Sequence, residues 1–463
     1  MIDRIDRSGP RRRRTGGSRS SGLAPSRRIA RPGQPLPVRF TASASGHAVL
    51  HLVSTPLGHG PALLRIDLDG RPASHAVVPA SGRSIPSAIV LGPVAAGPHL
   101  VEVAPTGPFS PEAAIEDTAL VLAPEDSWEG SVLRHAPILV GRSLPELGGP
   151  YQNVVTDTPL LAWHDVRPAG PDGSRLIEYT VLWSHEDGGT DAPTLLARWG
   201  RTTDIEWVYR VVIARDGGRI PGTAWYQGRG HLPRPFAGRF DGDRPLLQVA
   251  TDNNMVSDRV RGVLRFALAP DSTLPPGRPR EIAMALHPWT FRLSAAEVRV
   301  AGLVERRPDP SGRSVADPRD YVYLELSTAR RPAGRPGSGL AVAVRLRGSR
   351  RSHRSDDGLV DRTITRDGAV ATAIRLPSGA RPDDLVEIVA LRVPRAGAHD
   401  EIGLEGAVRG FFLDRRFMPG IPIAYPVRKT VLTDARPRAV LWSPRSVEGP
   451  GVAPPAGLPG SNP

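Results

Sequence analysis

Two segments near the middle of the chain, Leu176 to Trp183 (LIEYTVLW) and Arg201 to Ile213 (RTTDIEWVYRVVI), are rich in β-branched and aromatic residues and read as strands. In the second, strict alternation places Ile205, Trp207, Tyr209, Val211 and Ile213 on one side. Thr202, Asp204, Glu206 and Arg210 fall on the other. The first set makes a core face, and the second is left free for chemistry. Asp204 and Glu206 then point the same way with roots about 6.5–7 Å apart. Two carboxylates so placed suit a hard cation or a general acid and base. The plainer alternative is a solvent-facing strand on which Glu206 pairs with Arg210 or a neighbouring arginine.

Working outward, short apolar runs bounded by Gly, Pro or Asp recur along the chain. The 49 glycines and 50 prolines suit strands and turns better than long helices. The expected class is all-β, with three sandwich-like or jelly-roll-like domains. Residues 35–125 (VRFTASA, AVLHLV, ALLRIDL, SAIVLG, HLVEVAP) form an immunoglobulin-like sandwich. Residues 130–305 form a Trp-rich central domain, and residues 320–430 a further sandwich. One short helix is expected near 294–305, where Ser294 and Glu297 have capping-box spacing. Residues 1–34, rich in Arg, Gly and Ser, and residues 437–463, rich in Pro and Gly, are expected to be disordered tails.

The formal charge of +13 is unevenly spread: ten arginines stand against Asp3 and Asp6 within the first 31 residues. Nucleic-acid binding is therefore not expected of the folded part. The tail alone could dock on an anionic polymer or surface. No cysteine is present, which excludes disulfides, Cys-zinc sites and Fe–S clusters. The Arg11–Arg14 run is followed by no apolar segment, so no export signal is recognisable and no run is long enough to span a membrane. This places the chain in the cytoplasm by default, and outside it if the true start differs.

Other candidates cluster in the central region. Thr251 to Met255 (TDNNM) ends an apolar strand and offers the side-chain oxygens of Asp252, Asn253 and Asn254, although Asx residues also simply make turns. His164 and His185 stand at strand ends, and His231 lies in the same region. None belongs to an HExxH or Ser-His-Asp pattern. The metal-ligand set is thus Asp204, Glu206, Asp252, Asn254 and His164. Trp183 and Trp207 fall on core faces. Trp199 and Trp225 are freer to contact a ligand, and Arg198 and Arg201 beside Trp199 could grip an anionic or planar group. His185 and His231 complete the candidate ligand contacts.

HAPILVGR (135–142), LIEYTVLWSHEDGG (176–189), RTTDIEWVYRVVI and PLLQVATDNN (245–254) resemble, in order, segments of the β-sandwich family that includes necrosis-inducing toxin-like and Vps62-related proteins. The resemblance covers residues 133–255 and implies that Asp204 and Glu206 are divalent-metal ligands. The family's His-Glu-Gly-Asp-Trp-Glu strand is reordered here, with Thr202 and Thr203 where its histidine falls. The expectation is a β-sandwich binding protein with a calcium or magnesium site and a glycan or other surface polymer as partner. Two alternatives stand beside it: a carbohydrate-directed hydrolase or lyase using Asp204 and Glu206, and an assembly protein with an anion-binding tail.

Overall fold

The computed structural model describes residues 27–80, 83–109, 112–147, 149–270, 274–332 and 337–444. The fold is all-β, and the chain divides into two units. The first comprises residues 1–136 with 267–269. Its two four-stranded sheets run, in order, Arg28–Ala30, Ala113–Pro124, Gly46–Pro56, Ile85–Val94 and Leu36–Ala42, Gly97–Pro105, Ala62–Leu68, Arg71–Val78. All these pairs are antiparallel, and alternating residues such as Leu50, Leu52, Leu64, Ile66, Val101 and Val103 fill the core. Arg28–Ala30, expected in the tail, pairs with Ala113–Ile115. Arg31, also expected in the tail, bridges to Gln34 and pairs with Glu112 at 3.1 Å, and only residues 1–26 of the expected tail lie outside the described residues.

The second unit holds both the central region and the C-terminal sandwich. A five-stranded antiparallel sheet runs Pro159–Pro168, Arg175–Trp183, Asp204–Ile213, Trp225–Gly228, Leu232–Pro235. A smaller sheet is built on the parallel pairing of Ile138–Val140 with Arg244–Val249. The C-terminal sandwich packs the sheet Gly368–Arg375, Tyr321–Arg331, Glu401–Phe412, Ile423–Leu432 on the sheet Ser352–Arg354, Gly339–Leu346, Leu385–Val393, Arg438–Trp442. Arg438–Trp442, expected in the disordered tail, closes the second of these sheets, because Val440 and Ala439 pair with Val389 and Ala390. Residues 445–463 lie outside the described residues.

Helices are more numerous than the single one expected. Trp128–His135 is capped by Ser127, whose hydroxyl accepts from the Gly130 N–H at 2.8 Å. Ala192–Trp199 is capped by Asp191, with Pro193 in its first turn, and ends on Gly200 in the left-handed region at φ 65°. Gly200 is packed against the Thr372 backbone, and the Thr372 hydroxyl donates to the Ala197 carbonyl at 2.6 Å. These contacts join central region and C-terminal sandwich within one unit.

The helix expected at 294–305 runs instead over Trp289–Val300. Ser294 is not its cap but an interior residue, hydrogen bonded to the Thr202 hydroxyl, and Glu297 turns its carboxylate inward. Phe291 packs edge-on against Tyr323 and Phe411, which explains the earlier start: the apolar face begins before Ser294. Among the described residues, no helix is long and apolar enough to cross a membrane.

Candidate functional site

The pairing of the two opening strands corrects the assignment of faces. Trp183, Val181, Tyr179 and Ile177 lie opposite Asp204, Glu206, Tyr209 and Val211, and residues directly opposite in an antiparallel pair share a face. Val208 is the extra residue of a β-bulge between Trp207 and Tyr209, and it inverts the alternation. Asp204 and Glu206 therefore belong to the packed face, in line with Tyr209, Val211 and Ile213. Trp207 moves to the other face, half-buried, with the Arg210 guanidinium 3.8 Å from its ring centroid and Arg210 paired to Glu178. Trp183 is wholly buried, as expected of core.

Burial changes what the two carboxylates cost. Asp204 is 1% exposed and Glu206 8%. Asp204 Oδ1 accepts from the Ile205 N–H at 2.8 Å, and Oδ2 accepts from Asn254 Nδ2 at 3.1 Å. Arg201 Nη1 stands 3.8 Å from Oδ1 and is otherwise spent on the Thr203 carbonyl. Burial, with the charges of Glu206 and Glu186, pushes the Asp204 carboxyl well above the usual carboxylate range. Burial pushes Glu206 the same way, but its bond to His231 and the charges of Arg280, His231 and Arg201 outweigh it and hold this carboxyl below its usual value. His231 Nδ1 is 3.7 Å from Glu206 Oε1, and Gln227 Nε2 donates to Glu206 Oε2 at 2.9 Å. Glu186 joins the group electrostatically and accepts from the Thr190 N–H.

The TDNN loop comes round to this group, but through one residue. Asn254 is fully buried, adopts φ 58°, and leaves its Oδ1 without a partner. Asp252 is exposed and lies over Gly188, where a Cβ would overlap its carboxylate. His164 does not join: its Nδ1 contacts the Pro270 carbonyl at 3.1 Å, and it faces Tyr179, four residues or about 13 Å along the strand from Trp183. Trp225 sits 40% exposed on the outer hairpin, which also carries Gln227 and His231.

His185 belongs to a second group that the sequence reading missed. Arg142, wholly buried, donates from Nη1 to Asp157 Oδ2 at 2.9 Å and from Nη2 to Asp187. His185 Nδ1 is 3.4 Å from Asp187 Oδ1, and ligand atoms of Asp157, His185 and Asp187 lie within 4.8 Å of one another. This set could hold an ion by spacing alone, but Arg142 already supplies its cation. Glu297 completes the group: burial pushes its carboxyl up to about 7, against the Ser184 hydroxyl bond and the His185 charge. Asp157 is pushed far above its usual range by burial and by Asp187.

Among the described residues, three of the six non-glycine residues with positive φ, Asp157, His231 and Asn254, stand in these two groups. Such backbone costs on the order of 1–3 kcal/mol per residue and persists where surrounding structure fixes it, so its concentration marks this end of the sheet.

No family model matches the chain, and no curated protein does. Among solved structures it is similar to the CBM35 from Cellvibrio japonicus Abf62, at 16% identity and TM-score 0.18, over 24% of this chain and 78% of that one. It is also similar to a carbohydrate-binding module CBM36 in complex with calcium and xylotriose, at 12% identity and TM-score 0.17, over 23% of this chain and 91% of that one. A cycloisomaltooligosaccharide glucanotransferase from Paenibacillus sp. matches over 52% of this chain and 40% of its own, at 9% identity and TM-score 0.17. Likeness at this level carries no argument about ligand or activity.

Proposed function

We propose that this chain is a β-sandwich binding protein that holds a divalent cation, calcium or magnesium, at Asp204, Glu206 and Asn254, with Glu186 beside them. The observation that carries the reading is the orphaned Asn254 Oδ1. It is a buried acceptor held against a buried carboxyl that burial and its acidic neighbours push toward the protonated form, and that Arg201 approaches only to 3.8 Å. The donor set is all oxygen, which suits a hard cation. His231 and Gln227 orient Glu206 in the manner of outer-shell partners. Asp204 and Glu206 are the two positions that the family resemblance implied as ligands. The exposed Trp225 and Leu232, on the hairpin that carries His231, offer an apolar platform against which a glycan or another surface polymer could lie.

Calorimetry with Ca²⁺, Mg²⁺ and Mn²⁺ tests this on the wild type and on an Asp204→Asn/Glu206→Gln variant. The wild type is expected to give a saturable heat that the variant loses, while the variant melts no lower in chelator. Equal titrations would sink the reading. The hydrolase alternative has one observation in its favour: the two carboxyls are pushed apart in proton affinity, Asp204 upward and Glu206 downward. The cation reading is preferred because Asp204, at 1% exposure, is closed to a substrate oxygen. Turnover on a glycan or ester panel that vanishes in the double variant would reverse that preference.

A further inference from the structure

Away from the carboxylates, the end of helix Ala192–Trp199 gathers positive charge. The guanidinium carbons of Arg198, Arg366 and Arg201 lie 4.4, 5.3 and 5.8 Å from the Trp199 ring centroid. Arg366 donates from Nη1 to the Arg198 carbonyl, which fixes its position against the helix end. Arg395 presses electrostatically on Arg198, and Arg280 on Arg366. Arg201 and Arg280 also face the carboxylates of the central group, Arg201 standing 3.8 Å from Asp204, so the excess of positive charge rests on Arg198, Arg366 and Arg395. Glu281 is 3.4 Å from Arg201, and Asp361, whose side chain is 95% exposed, is 4.0 Å from Arg395.

Like charges brought together in a partly buried setting repel, and burial together with its arginine neighbours pulls the Arg366 pKa down to about 10. Three N–H groups here are buried and make no hydrogen bond: Nε of Arg198, Nη2 of Arg366 and Nε of Arg395. Each is a donor whose desolvation is uncompensated. They come from three separate places in the sequence, a helix end, the loop before strand Gly368–Arg375 and the loop after strand Leu385–Val393. Guanidinium groups pair best with planar or tetrahedral oxyanions, through charge-assisted bonds.

We propose that Arg198, Arg366 and Arg395 form a binding site for a sulfate or phosphate monoester group, with Trp199 stacked against the guanidinium groups of Arg198 and Arg366. The ligand's oxygens accept from the three unpaired N–H groups, and its charge offsets the excess of arginine. The site shares no ligand with the cation centre, although Arg201 stands beside both. Binding there is expected to persist in chelator, so the two proposals fail independently.

The test is calorimetry and thermal melting with inorganic sulfate, inorganic phosphate and a sulfated monosaccharide, at ionic strength held constant with chloride. Wild type, Arg366→Met and Arg198→Met are compared on the full chain. Sulfate stabilises folded proteins weakly by exclusion, so the readout is the saturable component. Wild type is expected to bind, and each variant to bind at least about tenfold more weakly, the loss of one charge-assisted bond. Arg198→Met keeps the test decisive if Arg366→Met fails to fold. Tighter binding of the sulfated sugar would identify a polymer-borne group as the source, and equal binding a free ion. Absence of saturable binding in the wild type, or binding unchanged in both variants, overturns the proposal.

Discussion

Replacing Glu297 by Gln should remove a pH dependence of stability that the wild type carries. Its Oε2 is buried without a partner, and its carboxyl titrates at about 7 against an ordinary 4.5. A carboxyl raised in the folded state binds its proton more tightly there than in the unfolded chain. The stability it contributes is therefore complete below pH 4.5 and is lost as pH rises to 7. At roughly 1.4 kcal/mol per pH unit, that interval amounts to about 3 kcal/mol. Glutamine keeps the shape and cannot ionise, so Glu297→Gln should match the wild type near pH 4.5 and exceed it by up to about 3 kcal/mol at pH 8. Urea unfolding followed by tryptophan fluorescence reads this, because all tryptophans except Trp128 lie in the second unit. Asp204 titrates in the same direction in both proteins and drops out of the difference, whereas Asp157 is raised partly by the Glu297 charge, so its own loss of stability on deprotonation shrinks in the variant and adds to the difference in the same sense. A constant offset between the two curves from pH 4.5 to 8 would refute the reasoning.

Other substitutions probe the surroundings. Arg142→Met leaves Asp157 and Asp187 facing each other without their cation and should cost about 3–5 kcal/mol in denaturant unfolding, part of it recovered by adding Asp157→Asn. Gly200→Ala forces a Cβ onto a residue at φ 65° and to 3.0 Å from the Thr372 backbone. A loss of more than about 1 kcal/mol is expected, with a matching fall in melting temperature. Ser294→Ala should cost about 1 kcal/mol through its lost bond to Thr202 while leaving the helical circular dichroism signal unchanged, since Ser294 caps nothing.

The strands were legible because their composition and turn punctuation are local properties. Which face each strand presents was not. Alternation holds only while pairing is regular, and Val208 breaks it without any residue-type signal, so Asp204 and Glu206 were assigned to the face opposite the core when they lie in the packed layer. The Ser294–Glu297 spacing imitated a cap because Ser and Glu three apart serve equally well inside a helix whose buried face mixes Thr290 and Ser294 with Phe291, Leu293 and Val298. Asn254 could be found because TDNN ends a strand. Arg142 and Asp157 could not, since each is an isolated residue in a turn-rich stretch and their meeting with Asp187 is purely tertiary. Strand Arg438–Trp442 was hidden by the Pro- and Gly-rich sequence around it, although Leu441 and Trp442 carry the apolar residues that a closing strand needs.

The four residues Ser184 to Asp187 serve both groups in turn. Ser184, His185 and Asp187 look toward Arg142 and Glu297, while Glu186 adds its charge to that of Asp204 and Glu206. Asp204 in turn contributes to holding the proton on Asp157. A metal ion that neutralises Asp204 must therefore loosen that proton, and linkage makes the effect mutual. Metal uptake then liberates hydrogen ions, and its apparent heat should vary with the ionisation enthalpy of the buffer chosen.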